Sequence, residues 1–305
     1  MKLLYLGDKR KLNPQYMYLY YGDLYRSLCK KANVVVEASL PERIPSDIDA
    51  VVFGMSYAGY EKDIDISINI PKVYILHKPQ TKLSDKIEWA KKVGIDLLAY
   101  SQTDHARFGA MAGIPSMQLW FAGDPSLYNC NDTKKLYDFG FSGALHGGKK
   151  IVGVARDLRN RVHEIVQKLP IKLFWNGSDS VSPRIKSAKE YASKVQQTKI
   201  WLSTTGPIDD VGVRHFETCL AGTLLFCNNM PLANGNVFID GENCIMFEND
   251  LSDFEDKLMY YITHDEEREG IVERTATSFL DKHTWDCRAD ELINAIQKLQ
   301  GAQNA

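Results

Sequence analysis

DDVGVRHFETCLAG, Asp209–Gly222, decides how the chain is read. It follows an apolar segment, IWLSTT (Ile200–Thr205), that reads as a buried strand. A Gly206–Pro207 break separates the two. The spacing predicts a short helix from about Gly212 to Gly222, after which TLLFCN (Thr223–Asn228) starts the next strand. The unit is strand–loop–helix–strand, with acids in the loop and on the helix. Gly212 stands at the helix start, where unpaired N–H groups and the positive dipole end can receive a phosphate. Glu217 is about one and a half turns in, and its carboxylate can accept two hydrogen bonds from sugar hydroxyls. The same residues have a plainer reading. Arg214 and Glu217 are three apart on a helix and can form an ordinary surface pair. Asp209 and Asp210 can serve simply as helix N-terminal acids. This stretch alone leaves both readings open.

The 305 residues suggest two domains or one large α/β domain. With 44% apolar and 25% charged residues the composition is that of a soluble protein. A formal net charge of −2 gives no basic footprint, so nucleic acid is not an expected partner. No apolar run approaches the ~18 residues of a membrane span, and the start, MKLLYLGDKRKL, does not have the form of a signal peptide. The cysteines at 29, 130, 219, 227, 244 and 287 show no CxxC spacing. The expectation is a reduced, cytoplasmic protein without an integral membrane segment or a structural zinc site.

Apolar strands alternate with amphipathic helices along the chain, which means βαβ units and parallel sheet. The first half offers KLLYLG (2–7), NVVVEA (33–38), DAVVFGM (49–55), PKVYILH (71–77), LLAYS (97–101) and SMQLWFA (116–122) as strands. A helix is expected with Ser84 as N-cap. The polar, aperiodic stretch Gly123–Tyr137 marks a boundary. Domains are therefore expected at 1–125 and 126–305, with terminal helices packing back. The alternation then restarts with DFGFSGA (138–144) and a Gly-and-basic loop, HGGKK (146–150). A helix at 156–169 and strands IKLFWNG (171–177), IWLSTT, TLLFCN and CIMFEN (244–249) follow. Ser252 and Glu255 form a capping-box pattern. Two more helices, about 266–280 and 285–299, finish the chain. Strand C-terminal ends of two Rossmann-like halves would meet across one cleft, where ligands of such sheets bind.

The opening stretch resembles the donor-site motif of GT-B glycosyltransferases, the retaining group with the pattern E-x-x-G-x4-E-x4-G. Asp209 takes the first acidic place, one methylene short, and Gly212, Glu217 and Gly222 take the others. RHFETCLAGTLLFCNN, FIDGENCIMFENDLSDFEDKLMYYITHDEER and KHTWDCR are similar to the C-terminal half of spore-maturation-type glycosyltransferases, a group-1, family-4-like set. SQTDHARFGAMAGIPSMQLWFAGDPSLY resembles the hinge approach of the same enzymes, and FSGALHGGKK resembles the first strand and loop of their donor domain. The resemblance spans roughly residues 70–290 and is strongest over 200–290.

The resemblance implies an α/β, GT-B protein with two Rossmann-like domains: a sugar transferase acting on a UDP- or GDP-linked donor in glycan biosynthesis, with retention of configuration and needing no cofactor beyond that substrate. Donor binding would fall to Gly143, Lys149, Arg161, Asp209, Gly212, Arg214 and Glu217. Glu217 would hold the ribose, Gly212 the diphosphate, and Lys149, Arg161 and Arg214 the charge on the leaving group. His77, ending its strand, would be catalytic and could move a proton near neutral pH. No metal is expected, since DID at 47–49 and 63–65 reads as solvated turns. The acceptor is open among glycan, protein, lipid head group and small molecule. A Tyr-rich segment near 16–25 can be an acceptor-stacking platform or a helix core face. Competing readings are a non-catalytic nucleotide-sugar binder, an epimerase on the same plan, and a viral-type DNA-base glucosyltransferase. The last would lean on Lys9, Arg10 and Lys11.

Overall fold

The computed structural model describes residues 1–16, 18–58, 69–79, 81–101, 103–130, 133–145, 155–178, 185, 187–206, 210–231, 233 and 235–303. They form two compact units, Met1–Phe121 with Trp285–Ala305, and Ala122–Thr284. The expected division at 125 put every residue after it in the second domain. In the structure the last helix belongs with the first unit, because its apolar face is covered there.

The first unit runs β1 (Lys2–Leu6), α1 (Lys9–Leu12), α2 (Tyr20–Lys31), β2 (Asn33–Glu37), β3 (Ala50–Phe53), β4 (Lys72–Leu76), α3 (Leu83–Val93), β5 (Leu97–Tyr100), α4 (His105–Ala112) and β6 (Ser116–Gln118). The six strands are in the order β2-β1-β3-β4-β5-β6, and every pairing is parallel. Continuous apolar runs such as AVVF and KVYIL are buried at every position, as strands covered on both faces must be. Ser84 is not the cap of α3. That place belongs to Lys82, held at φ 52° with no side-chain cap bond.

The second unit holds β7 (Tyr137–Ala144), α5 (Ala155–Val166), β8 (Leu173–Ser178), α6 (Ala188–Gln196), β9 (Thr198–Ser203), α7 (Val213–Leu220), β10 (Leu224–Asn228), β11 (Ile245–Phe247), α8 (Phe254–Thr263) and α9 (Asp265–Lys282). Its five strands are in the order β11-β10-β9-β7-β8, again parallel throughout. The core is a set of aromatic and aliphatic side chains from these strands, including Phe139, Phe141, Leu202, Phe226 and Phe247, packed under Leu158, Val162, Phe254 and Leu258. The Ser252–Glu255 capping box does not form: Asp253 stands at the helix start, and its carboxylate accepts from the Glu248 amide at 2.8 Å. Helix α7 ends as expected. Gly222 sits at φ 65° against Cys130, a left-handed turn that a glycine adopts without strain.

Helix α10 (Trp285–Gln303) completes the first unit. Lys30 and Lys31 of α2 pair with Asp286 and Asp290, and Gln300 donates to the Asp49 carbonyl at 3.2 Å. The first DID stretch is structural: Asp47 pairs with Lys2, and Asp49 accepts from the Lys2 amide. The second lies outside the described residues.

Candidate functional site

In the second sheet the chain order reverses between β7 and β9, with β8 on one side and β10 and β11 on the other. Ligands of open parallel sheets bind beyond the strand ends at such a reversal. The loops there are knitted by Asn228, buried at the end of β10. Its side chain accepts from the Thr205 amide at 2.9 Å and donates to Thr205 Oγ1 and to Asn249. Two arginines reach the same strand ends. Arg159, from α5, is buried and donates through Nε to Thr204 Oγ1 at 2.7 Å and through Nη1 to the Ala144 carbonyl at the end of β7. Arg214, half-buried on α7, donates to the Ser142 carbonyl and lies 5.3 Å over the Tyr191 ring.

Among the described residues no carboxylate pairs with Arg159. Its guanidinium is pushed down to about 9, first by burial and then by the charge of Arg214. It therefore stays cationic at neutral pH. Two neighbouring cations, the buried one with no carboxylate partner among the described residues, favour an incoming anion. The absence of a Cβ at Gly143 makes this arrangement possible, since a methyl group there would collide with Arg214 Nη1.

Glu217 follows Arg214 by three residues on α7 and is half-buried. The Tyr128 hydroxyl hydrogen-bonds to it. Burial first, and Glu217 second, push that hydroxyl well up. The Tyr128 ring stands 6.3 Å from Tyr191, which packs edge-on against Trp201. One carboxylate accepts more than one hydrogen bond, so Glu217 retains capacity for a ligand's hydroxyls. Gly212 is the residue before α7, and the His215 amide donates to its carbonyl at 3.2 Å. The His215 ring folds back on it, with Nδ1 3.2 Å from the Gly212 carbonyl oxygen. His215 is buried against Phe238, and burial lowers it to about 4, so it is neutral at pH 7.

In the first unit His77 follows β4 and is half-buried. Its Nε2 lies 3.1 Å from the Tyr21 hydroxyl, and its Nδ1 has no hydrogen-bond partner among the described residues. Burial, then Lys78, Lys86 and Lys11, lower it to about 3. Its environment favours the neutral imidazole at pH 7. Buried Lys86 donates to the His77 and Lys78 carbonyls, both at 2.9 Å, and holds this strand end.

Arg161, expected with the donor-binding set, is exposed and donates to the Asn249 and Asp250 carbonyls. There it braces the loop after β11. Arg159, two positions earlier on the same helix and not singled out from the sequence, is the arginine of α5 that reaches the strand ends. Lys149 and Asp209 lie outside the described residues. Of the basic run near the start, Lys9 pairs with Glu37 and Arg10 with Asp8. Most of its charge is spent within the protein. Among the described residues no group of three His, Cys, Asp or Glu is placed to hold a metal, and no helix is long and apolar enough to cross a membrane.

The sequence profile of the glycosyl transferase-like family matches residues 149–294, which takes in α5, α7 and strands β8 to β11 but not β7. Solved structures share the fold over nearly the whole chain. Sucrose-phosphate synthase from Thermosynechococcus elongatus superposes with a TM-score of 0.65 at 8% identity, covering 99% of this chain and 100% of that one. The fold is that of the GT-B glycosyltransferases, and the part of the chain from 149 to 294 is similar to the glycosyl transferase-like family. HepE from Anabaena, solved in complex with UDP-glucose, gives 0.59 at 12% identity, with 98% and 100% covered. A glycosyltransferase from Rickettsia africae gives 0.54 at 11%, with 98% of each chain covered. A sequence search of the curated proteins finds no match. The glycosyltransferase profile begins at Lys149 and includes Arg159, Arg214 and Glu217, so the family match and the cation pair fall on the same elements.

Proposed function

We propose that the chain is a glycosyltransferase whose second unit binds a nucleoside-diphosphate sugar, with the diphosphate against Arg159 and Arg214 and the ribose hydroxyls on Glu217. The observation that carries the reading is a buried arginine, with no carboxylate partner among the described residues, beside a second one at the sheet's reversal point. A diphosphate supplies the missing charge, and the cations stabilise it further as it leaves. Gly212 contributes at the start of α7. Lys149 and Asp209 join the site on the strength of the sequence resemblance.

A uridine nucleotide is the donor we favour, because HepE, similar in fold, was solved with UDP-glucose. Transfer is proposed to proceed with retention and without a metal, the guanidinium groups taking the role a divalent cation would have. His77 is proposed to act as a neutral hydrogen-bonding group toward the acceptor, and the protein to work in the cytoplasm. The family match favours neither a non-catalytic binder nor a DNA-base glucosyltransferase.

Calorimetric titration with UDP, UDP-glucose and GDP tests the reading, followed by measurement of slow UDP-glucose hydrolysis. Binding of UDP that is weakened in Glu217→Ala by about 1.5–3 kcal/mol, the worth of a charged hydrogen bond, is the expected outcome. Equal affinity in wild type and variant would remove Glu217 from the site.

A further inference from the structure

Around His77 the first unit gathers an unusual set of side chains. Tyr16, Tyr18, Tyr20 and Tyr21 form a chain of rings: Tyr16 stands 6.0 Å from Tyr18 and 6.2 Å from Tyr21, and Tyr18 stands 6.3 Å from Tyr20. Tyr20 stacks on Tyr21 at 4.4 Å, and both rings touch His77, at 5.9 and 5.2 Å. Tyr21 is buried, but Tyr18 is 37% exposed and Tyr16 and Tyr20 are half-buried. The segment is therefore only partly a helix core face.

Two ammonium groups converge on this set. Lys11 Nζ lies 5.2 Å from the centre of the Tyr21 ring, and Lys78 Nζ lies 5.9 Å from it. Among the described residues neither pairs with a carboxylate. The acids on the surrounding elements are already engaged: Asp8 with Arg10, Asp23 with Arg26, and Glu37 with Lys9. The two lysines also act together on His77, lowering its proton affinity. Like charges sharing one aromatic ring repel, and an anion between them relieves that repulsion.

We propose that this surface is an acceptor subsite for a saccharide that carries an anionic group, phosphate or carboxylate. Half-exposed tyrosine rings offer apolar faces to a sugar ring and hydroxyls to its oxygens. Lys11 and Lys78 take the anionic substituent. His77, neutral and with no hydrogen-bond partner for Nδ1 among the described residues, stands among them for a sugar hydroxyl. The assignment rests on the donor-binding reading of the second unit, since an acceptor is needed only if a donor is bound.

The test is saturation-transfer NMR and calorimetry on the full chain with saturating UDP, which occupies the second-unit arginines. The probes are glucose 6-phosphate, methyl glucuronide and methyl glucoside. At least one anionic sugar is expected to bind about ten-fold or more tighter than methyl glucoside, and to weaken as salt is raised from about 50 to about 500 mM, the range over which screening weakens charge contacts. In the double variant Lys11→Gln, Lys78→Gln its dissociation constant should rise about ten-fold, the loss of one to two screened charge contacts, while UDP affinity stays unchanged. A response to glucose 6-phosphate alone identifies a phosphate, and to the glucuronide alone a carboxylate. Equal binding of the neutral sugar, no binding of any probe, or an unaffected double variant overturns the proposal. Failure of wild type to bind UDP instead overturns the donor reading, and the two failures are read in separate titrations.

Discussion

Arg159 and Arg161 show what a single residue's direction decides. Helix α5 carries an apolar stripe of Leu158, Val162 and Val166, all buried. At ~100° per residue, positions 159 and 161 flank that stripe on opposite sides. The sequence marks both as border arginines and cannot tell which border faces the strand ends. The structure turns Arg159 to Thr204 and Ala144, and Arg161 to the Asn249–Asp250 loop. Arg159→Gln should weaken UDP binding by about 1.5–3 kcal/mol, and Arg161→Gln should leave it within about two-fold, by calorimetry. His215 supports a different prediction. Its ordinary value is ~6.5, and the fold lowers it to about 4. Between those values the unfolded chain binds the extra proton. The stabilisation is therefore complete above ~6.5 and is lost as pH falls toward 4. Urea unfolding at pH 7.5 and 5.0 should show a loss on the order of 2 kcal/mol from this group, with a smaller pH difference in His215→Phe. An equal difference in both proteins would mean that His215 is not protonated on unfolding.

At the scale of elements, the strands were legible because parallel strands buried on both faces are continuous apolar runs. KLLYL, AVVF, KVYIL and LLFCN needed nothing else. The caps were less legible. Ser84 and Ser252 have the right chemistry for a helix start, yet α3 begins after a left-handed Lys82 and α8 after Asp253. Tertiary contacts such as Lys86 on the His77 carbonyl decide where the chain turns. The role of Gly143 was legible only as a place in a family pattern. Its physical reason is the approach of α7 to β7, which puts the Arg214 guanidinium where a Cβ would be. Gly143→Ala must move a flexible side-chain end, not backbone. It should lower UDP affinity several-fold with little change in thermal midpoint. Gly54→Ala is the contrast. A methyl group there meets the ring of fully buried Tyr5. Overpacking of that kind costs about 1–3 kcal/mol, visible in urea unfolding.

For the whole molecule, the family resemblance and the alternation of elements disclosed two α/β units, but not where the last helix goes. Periodicity shows that α10 has an apolar face without showing what covers it. That face is Trp285, Ala289, Leu292 and Ile296, all buried within the first unit. Trp285 meets Phe121 at 6.4 Å, and Arg288 donates to the Phe121 carbonyl. Large apolar side chains each contribute ~1.5–3 kcal/mol when buried, so the first unit depends on residues that follow the second in sequence. A fragment of residues 122–284 should fold by itself and bind UDP about as the full chain does. A fragment of 126–305 should carry α10 with its apolar face uncovered, and elute from size exclusion as aggregates or with that helix unfolded. Residues 1–121 without α10 should be insoluble or molten, and added 285–305 peptide should raise their helical circular dichroism. A monomeric, fully helical 126–305 fragment beside an unfolded 122–284 fragment would assign α10 to the second unit and reverse the division argued from its contacts.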